Sequence, residues 1–259
     1  MFEKLLSSFS IGSAKVDTRL EKTSYVPGEQ MRGQVLVFGG EQPEKIIDIY
    51  IRFITEYVKY PNSQRYHLNS CLSCYKITPT FFIQPKEIKE FPFIVAIPLT
   101  APLTMFTQRV YINITLDIES FAYTKNSDSI EIRPLILMEK VLYGMEYLGF
   151  YLVSAYCEYD TELARNCEFI QKIRFNPGKD YLKTKIDKID IIFLFSPPNQ
   201  INVVLNVDKN LGGFFQELFK EDKTRLYFQI STADAQKPVE YFAGLITNAI
   251  NTVINARQK

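Results

Sequence analysis

The stretch TSYVPGEQMRGQV, Thr23 to Val35, sets the pair Pro27-Gly28 between two runs of alternating apolar residues. Proline at the second position of a turn presets φ, and glycine at the third accepts the φ > 0 that a type II turn demands. Before the turn, Val16, Thr18 and Leu20 alternate with charged or polar neighbours. After it, Gly33, Val35 and Val37 resume the alternation until Gly39-Gly40 stops it. A period of two on both sides of a tight turn predicts a hairpin-like pair of strands.

The same period continues downstream. KIIDIYIRFITEYVKY places Ile47, Ile49, Ile51, Phe53, Thr55 and Tyr57 on one face and Asp48, Tyr50, Arg52 and Glu56 on the other, which predicts one long strand. FPFIVAIP alternates Phe91, Phe93, Val95 and Ile97. VYINITLDIE alternates Val110, Ile112, Ile114, Leu116 and Ile118 against Tyr111, Asn113, Thr115, Asp117 and Glu119. One dry and one wet face is the habit of antiparallel sheets. Pro92 cannot donate to a ladder, so its strand is expected at an edge or a bulge. Short strands rich in prolines predict an immunoglobulin-like β-sandwich over residues 1–134.

After Arg133-Pro134 apolar residues recur at three and four, as Met138, Val141, Leu142, Met145 and Leu148, with Gly149 suited to a C-terminal cap. A connecting helix is expected over 135–149. Strand patterns return in GFYLVSAYCEY, CEFIQKIRF, IDIIFLF, INVVLNV and TRLYFQI, enough for a second, smaller sandwich over 150–236. Within it, GGFFQELFKE would place Phe214, Phe215, Leu218 and Phe219 on one side of a short helix. The segment 237–259 carries Phe242, Leu245, Ile246, Ala249, Ile250, Val253 and Ile254 at helical spacing, with Pro238 suited to its first turn. The fold expected is mainly β: two sandwiches joined by a short helix, with an amphipathic C-terminal helix. That apolar stripe either packs on the protein's own sandwich or docks on a partner or a second copy, so its seven residues are candidate docking positions.

Composition narrows the function. With 30 Lys and Arg against 29 Asp and Glu, the chain lacks the cationic excess that neutralises phosphates, and nucleic acid is not an expected partner. No apolar run reaches the roughly eighteen residues of a membrane span, and MFEKLLSSFSIGSAK is too short in apolar residues for a signal peptide. A cytoplasmic protein is expected, and four cysteines in 259 residues, no disulfide framework, agree. The 20 Phe and 16 Tyr, without Trp, suit pleated, half-buried surfaces.

His67, Cys71 and Cys74 are the one cluster of metal-ligand types, but on a strand residues three apart point to opposite faces, so no metal site or redox pair is expected. One histidine serves the whole chain and no G-x-S-x-G elbow surrounds a serine, which excludes a triad hydrolase. Asp117 and Glu119 could act as acid and base, yet a solvated face gives the same pattern. Gly212-Gly213 lacks the spacing of a phosphate loop and reads as a turn. Lys179, Lys183, Lys185 and Lys188, interleaved with Asp180 and Asp187, read as a solvated hairpin.

Taken together, IGSAKVDTRLEKTSYVPGEQMRGQV, the FPFIVAIP strand, TLDIE and DSIEIRP resemble the bacterial sporulation-control protein family, whose fold is arrestin-like. In sandwiches of that type a strand, a Y-x-P-G-E turn and a G-x-V strand recur near the start. Tyr25, Pro27, Gly28, Glu29, Gly33 and Val35 match those positions residue by residue. The likeness runs on through FIQKIRFNP, IDKIDIIFLF and NVVLNVDKN and is looser after about Phe195. It implies a cytoplasmic regulatory or scaffolding protein, tied in spore formers to sporulation entry, with other proteins as partners, no catalytic residues and no cofactor. The alternative is a binding module that takes a small molecule or lipid in a cleft between the two halves.

Overall fold

The strands on either side of Pro27-Gly28 pair as the alternation predicts. In the computed structural model, which describes residues 14–119, 121–164, 167–178, 186–196, 200–209 and 223–255, β1 (Lys15–Leu20) runs antiparallel to β3 (Gln30–Phe38). Between them the chain leaves that sheet: β2 (Ser24–Tyr25) pairs in parallel with β9 (Phe121–Ile132), on a second sheet. The first sheet is completed by β7 (Ile88–Ala96), in the order β1-β3-β7. Pro92 therefore lies on an edge strand, opposite Gln34, where its missing N–H interrupts no inner ladder.

The second sheet is built on β4 (Glu44–Lys59), which is antiparallel to β8 (Val110–Ile118), itself antiparallel to β9. Two further strands, β5 (Tyr66–Lys76) and β6 (Phe81–Ile83), also pair with β4. Met31, Val35 and Val37 of the first sheet and Ile49, Ile51, Phe53, Ile112, Ile114 and Leu116 of the second are fully buried, giving a sandwich core.

One position departs from the predicted face of β4. Ile47 is half-buried, and Ile46 takes the core place instead. The ladder with β8 shifts register between Ile46 and Asp48, and the extra residue of such a bulge inverts the alternation on one side of it. The face expected to be wet is also partly covered. Asn113 and Thr115 are buried, Arg52 Nη1 donates to Thr115 Oγ1 at 2.7 Å, and Tyr50 donates its hydroxyl to Asp48 Oδ2 at 2.9 Å.

The chain divides into two units, the first holding the described residues to Glu56 with His67–Thr104 and Arg109–Arg133, the second holding Tyr57–Tyr66, Met105–Gln108 and the described residues from Pro134. Two short pieces from before residue 134 thus belong to the second unit. β4 is long enough to outrun its own sandwich, and its last residues are buried elsewhere. Tyr57 stacks on Phe169 with ring centroids 5.5 Å apart and donates its hydroxyl to Glu168 Oε2 at 2.9 Å. Gln108 Oε1 accepts from the Cys157 amide at 3.2 Å.

In the second unit β10 (Phe150–Tyr159), β11 (Phe169–Pro177), β12 (Ile186–Ser196), β13 (Gln200–Lys209) and β14 (Lys223–Ser231) form one antiparallel sheet in chain order. The end of β4 adds to it in parallel, Val58 opposite Glu158. The continuous apolar runs of β12 and β13 are explained by burial on both faces: Ile189, Ile191 and Leu205 face one way, Ile192 and Val204 the other. Leu163 and Ala164 cover the latter pair together with Ile170.

Two helices complete this unit, α1 (Ile136–Tyr147) and α2 (Val239–Asn255). They pack on each other, α1 also on β10 and α2 on β14, so together they reach from the first to the last of these five strands. The helix expected as a connector is thus a packed part of the second unit. It ends as predicted, with Gly149 at φ +81° donating its N–H to Glu146 O at 2.9 Å. The expected helix with Phe214, Phe215, Leu218 and Phe219 lies outside the described residues.

Candidate functional site

The six motif positions come together in the first unit, and each has a structural cause. Val26 to Glu29 form the type II turn: Glu29 N donates to Val26 O at 3.1 Å, and Gly28 sits at φ +83°. Gly28 N donates to Ile97 O at 3.0 Å and Ile97 N to Glu29 O at 2.8 Å, which ties the turn to the chain leaving β7. Tyr25 is buried; its hydroxyl donates to Lys22 O at 2.5 Å and its carbonyl accepts from Arg133 N at 2.8 Å. Glu29 closes the group. Its Oε2 accepts from Val26 N at 3.1 Å and its Oε1 meets the Lys22 ammonium, which holds the carboxyl below the usual glutamate range. At Gly33 a Cβ would come within 2.6 Å of Arg19 O and 2.8 Å of the Phe93 ring. Val35, two residues on, is fully buried. These residues build a strand exchange between two sheets and leave no free reactive group.

The apolar stripe of α2 is largely accounted for within its own unit. Phe242, Ile246 and Ile250 are buried, and α1 is the helix packed against α2, so these three pack in cis. The reason is local: α1 offers Leu137, Met138, Val141 and Met145 as a buried face of its own. Leu245 and Ala249 are half-buried, while the side chains of Val253 and Ile254 lie outside the described residues.

The remaining sequence candidates are scattered. His67 Nδ1 lies 2.5 Å from Glu56 Oε1, both exposed. Cys71 and Cys74 are exposed on β5; Cys157 is buried, and burial pushes its thiol well above the ordinary value. Among the described residues no group of three or more His, Cys, Asp and Glu is placed to hold a metal ion. Asp117 lies opposite Asp48 on the neighbouring strand, and Glu119 accepts from Lys45 Nζ at 2.6 Å. Lys188 pairs with Asp208 at 2.9 Å; Lys179, Lys183, Lys185, Asp180, Gly212 and Gly213 lie outside the described residues.

Sequence reasoning missed a row of charges on one face of the second unit's sheet. Arg174 grips Asp190 with both arms, Nε to Oδ1 at 2.7 Å and Nη2 to Oδ2 at 2.9 Å, and Nη2 also donates to the Tyr156 hydroxyl at 2.8 Å. Burial, with the Asp190 carboxylate behind it, pushes the Tyr156 phenol far above its ordinary value. Beside them Lys172 donates to Glu158 Oε1 at 2.7 Å, and Arg225 Nη1 to Glu162 Oε2 at 2.6 Å. Asn206 stands opposite Asp190 and is buried. A bidentate Arg–carboxylate pair ties β11 to β12, and the phenol ties in β10. With Arg174 held by Asp190, the row is built to staple strands rather than to receive an anion. A signal was present in the sequence, since Lys172 and Arg174 alternate along one strand and Tyr156 and Glu158 along another, but pairing them requires the register.

Known proteins resemble the chain in sequence and in fold. The family model described as SpoOM protein matches residues 2–211. The chain belongs to the Spo0M family. Over 242 residues it is 31% identical to the sporulation-control protein Spo0M of Bacillus subtilis (strain 168), covering 92% of this chain and 93% of that protein. The crystal structure of B. subtilis Spo0M has the same fold, with a TM-score of 0.84 at 28% identity over 93% of this chain and 99% of that one. The mainly β architecture and the C-terminal helix agree with the Spo0M fold, and the residues that the family model matches span Tyr25 to Val35. No helix among the described residues of this Spo0M-family chain is long and apolar enough to cross a membrane.

Proposed function

We propose that the chain is a cytoplasmic, non-enzymatic regulator that works as an adaptor, through contacts with other proteins, in sporulation control or a process related to it. The likeness to B. subtilis Spo0M along nearly the whole length supports the regulatory part. The observation that carries the non-enzymatic part is the pairing of Arg174 with Asp190, Lys172 with Glu158 and Glu29 with Lys22, which directs the first four charges to holding strands together and the last two to closing the turn. Four unbridged thiols fit a reducing compartment. Exposed tyrosines, among them Tyr143 and Tyr147 on α1 and Tyr151 on β10, supply the residue type that protein interfaces favour.

The test is crosslinking in the native host followed by affinity capture of the tagged chain and quantitative mass spectrometry. The reading expects a small set of proteins enriched over an untagged control, with the set diminished when Tyr143 and Tyr147 are changed to serine. If no protein is enriched, and a small molecule from the same lysate raises the melting temperature instead, the adaptor reading is wrong.

A further inference from the structure

Spacing alone sets Cys71 and Cys74 on opposite faces of an unbroken strand, but β5 is not unbroken. Near its end Tyr75 faces inward: its ring meets the fully buried Phe53 edge-on, with centroids 6.2 Å apart, and its hydroxyl donates to Ala96 O on β7 at 3.0 Å. Counting back by twos would turn His67 inward as well. Yet His67 meets Glu56, which alternates with the core residues Phe53, Thr55 and Tyr57 of β4 and so stands on the outer face. The alternation therefore breaks once between His67 and Tyr75. Exposure locates the break, since Leu72 and Ser73 are both half-buried while Cys71 and Cys74 on either side are exposed. This is a bulge, two residues of β5 filling one place in the ladder with β4.

The bulge turns both thiols to the outer face as consecutive members of one row. Three steps of sequence then span two rungs, a Cα separation of roughly 7 Å. Cys71 leans toward its neighbour. Its Sγ donates to Ser73 O at 3.3 Å, and that oxygen belongs to the peptide unit that enters Cys74, so the sulfur lies within about 6 Å of the Cys74 Cα. Burial and Cys74 push the Cys71 thiol up, and Arg52 on the outer face of β4 pulls it down, which sets the guanidinium beside the pair.

We propose that Cys71 and Cys74 form a two-coordinate site for a soft monovalent cation, copper(I). A Cα separation of roughly 7 Å lies at the upper limit for a disulfide, whereas metal–sulfur bonds of about 2.3 Å join sulfurs about 4–5 Å apart. Thiolates select soft ions. Among the described residues no third His, Cys, Asp or Glu completes a metal-binding group, which disfavours the four ligands of zinc and leaves the pair that a linear copper(I) takes. The dithiolate complex is anionic overall, and Arg52, whose Nη1 donates to the neutral Thr115 hydroxyl, supplies a cation beside it. Binding exchanges protons for the ion: each thiol releases its proton to solvent as its sulfur–copper bond forms, and the copper stays monovalent.

The full-length, reduced chain is titrated under argon with copper(I), supplied as its acetonitrile complex, in competition with bicinchoninate. Wild type is expected to keep one copper(I) per chain, with affinity at least about tenfold lower in Cys71→Ser and in Cys74→Ser and unchanged in Cys167→Ser. Both ligand positions are exposed, so circular dichroism of the two variants stays unchanged. Wild type alone gives a second reading that holds even where a variant misfolds: bound copper(I) slows iodoacetamide labelling of Cys71 and Cys74 and leaves that of Cys167 as it was. Light scattering is expected to give the same mass with and without the ion. A wild type that yields all its copper to bicinchoninate, a serine variant at Cys71 or Cys74 that holds it as tightly, labelling that copper leaves unaltered, or an ion that joins two chains overturns the proposal. Partner capture by the copper-free chain tests the adaptor reading separately, so either can fail without the other.

Discussion

Gly28 and Glu29 show how much a five-residue motif can fix. At φ +83° an alanine Cβ would be strained, and it would also lie 3.0 Å from Leu99 Cδ2. Gly28→Ala is expected to cost on the order of 1 kcal/mol or more, read as a lower denaturation midpoint. Glu29 gives a pH signature. Lys22 and the Val26 amide hold its folded carboxyl below the ordinary value of 4.5, so its contribution is complete above that value and is lost as pH falls through the depressed folded one. Wild type should lose stability relative to Glu29→Gln as pH drops below 4.5, with the difference constant at neutral pH. Denaturation midpoints of both proteins across an acid series measure it; parallel curves would contradict the assignment.

Within the sheets, the row through Arg174 is where pairing matters most. Removing one partner of a buried ion pair strands the other charge, whereas removing both replaces it with packing. Arg174→Met alone is expected to cost on the order of 3 kcal/mol, and Asp190→Leu added to it to recover most of that loss, measured by chemical denaturation of the two single variants and the double. The contrast between this row and the Tyr25–Glu29 turn explains what could be read in advance. The turn, the alternation of β4 from Ile49 to Tyr57 and the edge position of Pro92 depend on neighbours in sequence, and they are legible there. The salt-bridged row depends on which residue of β11 faces which of β12, and the bulge at Ile46 on a count of two residues against one. β9 escaped because FAYTKNSDSIEI has too few apolar residues to show a period, although its backbone pairs with β8 from Thr124 to Ile130. The stripe of α2 was visible, but its cover, α1, lies far earlier in the chain and could not be matched to it from spacing alone.

Across the molecule, two cores imply unfolding that is not two-state. Phe242 is fully buried in the second unit, and Phe242→Ala is expected to cost about 3–5 kcal/mol there. Hydrogen exchange should show lost protection across α1, α2 and β10 to β14, with β1, β3 and β7 keeping theirs. Uniform loss would mean that the units unfold as one.

The sixteen residues of β4 carry a consequence for how such a gene can be edited. The join at Arg133-Pro134 invites dissection, but a fragment starting at Pro134 would leave behind Tyr57 and Gln108, and with them the ring that stacks on Phe169 and the oxygen that receives the Cys157 amide. Such a fragment should express poorly or bind hydrophobic dyes, and co-expression with residues 1–133 should rescue it. A deletion of one codon between Phe53 and Tyr57 would be worse than either truncation, since it would turn the side chains on one side of the lesion inside out. Recombination can therefore trade the loops of this protein, but it has to inherit β4 whole.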